Sequence, residues 1–102
     1  MTENAFRIVG KFGDIPFDEP AENPSFGQIK FVEYVADDAG NLYGARFMLD
    51  LGHGYGFNNG KQEAILNLNE AIDFDHEFTD TSDGMWHNSS IHVSFRLVKK
   101  TL

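Results

Sequence analysis

In two stretches of this chain every second residue is apolar or aromatic: Tyr43, Ala45, Phe47, Leu49 and Leu51 in one, Ile91, Val93, Phe95 and Leu97 in the other. Successive side chains of a strand leave opposite faces of a sheet, so a period of two is what a strand with one dry and one wet face requires. The chain is therefore predicted to be mostly β.

The remaining segments extend that reading. Phe6, Ile8 and Phe12 alternate loosely through 5–12, a first strand. Residues 28–36 carry Ile29, Phe31 and Val35 against Val32, Tyr34 and Ala36, and two apolar faces argue for a place near the middle of the sheet or under a loop. The turn Asp37-Asp38-Ala39-Gly40-Asn41 offers Gly and Asn where a hairpin needs positive φ, and leads into the strand 42–51. From Ile72 the alternation resumes through Phe74, His76 and Phe78, ends at the turn Asp80-Thr81-Ser82-Asp83-Gly84, and a last strand runs to Val98.

Two segments resist a simple assignment. Residues 13–27 hold all three prolines, Pro16, Pro20 and Pro24, each of which removes a ladder donor, so the segment is excluded from the centre of a sheet. Ile15, Phe17 and Phe26 within it predict a long ordered loop packed back onto the sheet. Residues 61–72 fit a helix with Leu66 misplaced, or a strand with Glu70 misplaced. The alternation Leu66-Asn67-Leu68-Asn69 favours strand for 63–69, asparagine being a poor helix former. The expectation is one domain spanning 1–102: a small antiparallel barrel or two-layer β-sandwich of six to seven strands, with at most one short helix at about 61–72.

Charge narrows the partners. Eight Lys and Arg stand against 16 Asp and Glu, a net of −8, and a phosphate backbone repels such a surface, which argues against nucleic acid. No Lys or Arg occurs between Lys61 and Arg96, where Glu63, Glu70, Asp73, Asp75, Glu77, Asp80 and Asp83 all fall. This run reads first as a solubilising face and second as a patch that meets a basic partner or a divalent cation, or that mimics the charge of nucleic acid. The chain has no cysteine, which removes disulfides and thiolate chemistry and fits a reducing compartment. Residues 1–7 carry no secretory pattern, and no stretch approaches the roughly 18 apolar residues of a membrane span. A cytoplasmic protein without a membrane partner is expected.

Catalytic signatures are absent from the sequence. The Gly-rich run 52–60 lacks the spacing of a nucleotide-binding loop, and Ser89 and Ser90 have no nucleophile elbow around them. His53, His76, His87 and His92 form no His-x-His pair, and His87 and His92, five apart, would face opposite ways on a regular strand. On one strand Asp73, Asp75 and Glu77 would lie about 7 Å apart, hard oxygen ligands able to take calcium. The sixth position after Asp73 is Phe78 where a helix-flanked calcium loop needs glycine.

Aromatic contacts remain. Of 14% aromatic residues, those nearest turns and strand ends are Tyr34, Tyr55, Phe57 and Trp86, where flat rings can stack on a sugar or enter a partner's pocket. The favoured expectation is a non-enzymatic module for protein interaction or self-association. One alternative is a carbohydrate-binding domain using Trp86, Tyr55 and Phe57, with calcium at Asp73, Asp75 and Glu77. The other is a metal-dependent barrel enzyme using His53, His87 and His92.

Overall fold

A computed structural model describes residues 6–53 and 60–100. Seven strands are present and no helix occurs among the described residues: β1 (Phe6–Phe12), β2 (Ile15–Pro20), β3 (Ile29–Ala36), β4 (Leu42–Gly52), β5 (Gly60–Asn67), β6 (Ala71–Asp80) and β7 (His87–Lys99). Among the described residues there is no helix long and apolar enough to cross a membrane. The strands form one mixed, open sheet ordered β2-β1-β7-β6-β4-β3, with β5 paired to β4 off this path. All pairings are antiparallel except a single parallel bridge, Gly52 to Glu77, which joins a four-stranded half (β2-β1-β7-β6) to a three-stranded half (β3-β4-β5).

The two halves face each other across one apolar core, as in a sandwich. Phe47 of β4 meets Phe95 of β7 edge to face, with ring centroids 5.4 Å apart. Ile8, Ala45, Leu49, Leu66, Val93 and Leu97 close around them, and no polar residue is buried among the described residues. The alternation in 42–51 and 91–97 is borne out at these positions, although Tyr43 lies outside the core, 44% exposed.

The ambiguous segment 61–72 is two strands and a turn. Leu66, the residue that a helix would misplace, is 1% exposed near the end of β5, paired with Ala45. Glu70, the misfit of the strand template, lies in the turn, where its Oε1 accepts from the Asn67 N–H at 2.8 Å. Asn69 takes a positive φ of 70° there, a conformation that asparagine tolerates better than most residues.

The segment 13–27 differs from the expected loop, because Ile15–Pro20 is a strand. Gly13, at φ 62°, and Asp14 form a two-residue hairpin turn between Phe12 and Ile15. The Ala21 N–H donates to the Phe6 carbonyl at 3.0 Å, which sets the alternation: odd-numbered donors of β2 point at β1. Pro16 and Pro20, even-numbered, place their missing donors on the open side. β2 is an edge strand with β1 as its one neighbour, so its prolines interrupt no ladder.

A second correction concerns 28–36, which lies at the end of the sheet rather than near its middle. A bulge between Phe31 and Glu33 resets the alternation. Phe31 and Tyr34 therefore share the core side, with ring centroids 4.9 Å apart, while Val32 is exposed. The two apolar faces reflect this irregularity, not burial on both sides.

Candidate functional site

β1 follows β7 only as far as Phe12 opposite Val93, with the Gly13 N–H donating to the His92 carbonyl at 2.7 Å. β6 and β7 continue past that point as a two-stranded ribbon, Asp75 opposite His92 through Asp80 opposite His87. Beyond the Gly52 bridge to Glu77, the ribbon has no other strand beside it among the described residues. The molecule is correspondingly long, 54 × 25 × 19 Å.

The tip of this arm is held by its own turn chemistry. Asp80 Oδ1 accepts from the Ser82 N–H at 2.9 Å and Asp83 Oδ1 from the Met85 N–H at 3.0 Å. The Gly84 N–H reaches the Thr81 carbonyl at 2.9 Å with φ 85°. His87 Nε2 lies 2.9 Å from Asp83 Oδ2. Both carboxyl groups are held below the usual carboxylate range, Asp80 chiefly by the Ser82 backbone donor and Asp83 chiefly by that of Met85. Two acceptor side chains thus organise a turn that presents Met85 and Trp86, at 64% and 68% the two most exposed large apolar residues described.

The other candidates are distributed as follows. Tyr34 is half-buried, its ring edge-on to Phe6 at 5.5 Å as well as to Phe31. Tyr55 and Phe57 lie outside the described residues. Asp73 and Asp75 share the outer face of β6 and converge on one histidine: His92 Nδ1 is 2.8 Å from Asp75 Oδ1, and its Nε2 is 3.5 Å from Asp73 Oδ2. The Asp75 hydrogen bond, ahead of the remaining attraction of the two carboxylates, raises the His92 pKa above the ordinary imidazole value. Glu77 stands at the bridge to Gly52. Among the described residues no group of three or more His, Cys, Asp or Glu side chains is arranged to hold a metal ion.

The histidines are likewise spread out. His76 Nδ1 lies 2.8 Å from the Asp50 carbonyl. It shares a shallow recess with His53, Asp50 and Glu77 where the two sheet halves join. His87 pairs with the tip and His92 with β6, five residues and roughly 16 Å apart along the strand.

One feature escaped the sequence reading. On the outer face of β1, β7 and β6, Val9, Ala71 and Val98 line a recess of about 280 Å³ together with Ser94 and Arg96. The signal was present as valines at outward positions otherwise held by Arg7, Lys11, Ser94 and Arg96. Residues so far apart in sequence meet only through the β1–β7 register.

No family model, curated protein or solved structure matches this chain. Function therefore rests on geometry. An exposed indole and thioether on an ordered turn can fill an apolar cavity, and the carboxylates beside them can meet cations at its rim.

Proposed function

We propose that this chain is a non-enzymatic protein-interaction module that engages its partner with the tip of the β6–β7 arm. The carrying observation is that Met85 and Trp86 stand adjacent and exposed at the end of a ribbon projecting past the core. None of the twelve buried core residues lies in the tip, and the three that β7 supplies, Val93, Phe95 and Leu97, lie at the other end of that strand, so the tip is not spent on the core. A tryptophan on a pre-ordered turn gives up little conformational freedom on binding, and tryptophans are enriched among residues that dominate interfaces.

The test is site-specific photo-crosslinking in cells that make the protein, with a photoreactive phenylalanine analogue at position 86 and a control at Lys30, which lies on β3 in the opposite half. The reading expects discrete protein adducts from position 86 that exceed those from position 30. Equal or absent protein adducts at position 86 would overturn it.

A further inference from the structure

We infer that the partner of the arm is a second copy of this chain, whose recess between Val9 and Val98 receives Met85 and Trp86; this rests on the interaction reading above. The recess and the tip are complementary in chemistry. The β1–β7 register sets Val9 opposite Arg96, Arg7 opposite Val98 and Lys11 opposite Ser94. The floor of the recess is thus apolar, and around it Arg7, Lys11 and Arg96 outnumber Asp18, opposite Val9, and Asp73, opposite Ser94. Arg7 is partly neutralised by Asp18 at 2.6 Å, whereas the tip carries Asp80 and Asp83 beside its two apolar side chains. Each copy holds both an acid-flanked apolar plug and a cation-flanked apolar socket.

A copy cannot fill its own socket. His87 and Arg96 lie nine residues apart on one strand, about 30 Å at the usual rise per residue. β6 and β7 keep unbroken register from Ala71 opposite Arg96 to Asp80 opposite His87, with no bulge at which the arm could fold back. The occupant must come from another molecule. Because β7 runs from the plug at its start to the socket it forms with β1 and β6 near its end, a two-fold axis crossing β7 midway, near Ile91 and His92, would seat both plugs at once. Two chains of net −8 repel at long range, but at ~0.15 M salt that repulsion is screened beyond about 8 Å while the opposite charges at each contact remain close.

Trp86 is the only tryptophan, so its fluorescence reports the plug alone. The experiment follows emission and light-scattering mass over a range of protein concentrations. Expected is a rise from 11.5 kDa toward twice that mass, together with a blue shift of the emission. Val9→Asp in the socket and Trp86→Ala in the plug should each weaken self-association at least tenfold. An equimolar mixture of the two should recover part of the blue shift, since one variant retains its plug and the other its socket. Arg96→Glu serves as a second socket variant should circular dichroism show that Val9→Asp does not fold.

A monomer at all concentrations would overturn the inference, and so would a dimer indifferent to the socket and plug variants. A monomer whose position 86 still crosslinks to a foreign protein would overturn the second-copy partner and leave the interaction reading standing.

Discussion

His92 and Asp75 face each other across β6 and β7 with Nδ1 2.8 Å from Oδ1, and Asp73 lies on the far side of the same imidazole at 3.5 Å. This arrangement favours the charged form of the His92 ring. Its folded-state pKa is raised, so its contribution to stability is fully present below the unfolded value of about 6.5 and is lost as pH rises through the folded pKa. An NMR titration of the His92 ring should give a midpoint above that of a free histidine, and Asp75→Asn should bring it down. An unchanged midpoint in the variant would remove Asp75 as the cause.

Gly52 is where the two halves of the sheet touch, and it has room for no side chain. It sits at φ 70°, and a Cβ there would lie 2.0 Å from the Glu77 carbonyl oxygen and 2.8 Å from His76 Cε1. Gly52→Ala should destabilise the fold by about 1–3 kcal/mol from backbone strain, with the collision adding to it. Gly40, at φ 88° with nothing within 4 Å of the added atom, supplies the strain without the collision. Urea midpoints should therefore fall further for Gly52→Ala than for Gly40→Ala; equal midpoints would mean that the contact at the join yields without cost.

The face assignment of β5 can be checked by a neighbouring pair of substitutions. Leu66 is 1% exposed and Ile65 49%, although the two residues are adjacent and nearly equal in size. Leu66→Ala should cost about 2–5 kcal/mol, the usual range for truncating a buried leucine. Ile65→Ala should stay within about 1 kcal/mol. Denaturant unfolding of the two variants decides it, and the reverse order would place β5 with its other face inward.

What the sequence made legible follows from how local each determinant is. β4 and β7 could be read because one face of each meets the core over several residues, so Ala45, Phe47, Leu49, Val93, Phe95 and Leu97 repeat at the strand period. β2 was hidden by Pro16 and Pro20, whose harmlessness depends on which side of the strand their donors would face, a matter of pairing rather than composition. At β3 the bulge beside Val32 broke the period that would have marked its faces. Trp86 could be singled out because its turn residues, Asp83 and Gly84, are its sequence neighbours. The recess between Val9 and Val98 could not, because it exists only once β1 is laid against β7.

Separating the arm's proposed role from its contribution to the fold gives the last prediction. Met85 and Trp86 are 64% and 68% exposed and stand outside the core cluster, and exposed positions of this kind change stability by no more than about 0.5 kcal/mol when truncated. Met85→Ala combined with Trp86→Ala should therefore leave the urea midpoint close to that of the parent, while the association attributed to the arm is lost. Phe47→Ala is the opposite case, since it empties the centre of the core and should cost about 3–5 kcal/mol. Circular dichroism would read both transitions, because the double variant has no tryptophan to follow. Were the double variant to unfold as readily as Phe47→Ala, the tip would be a structural element after all, and loss of association in that variant could no longer be assigned to a missing contact.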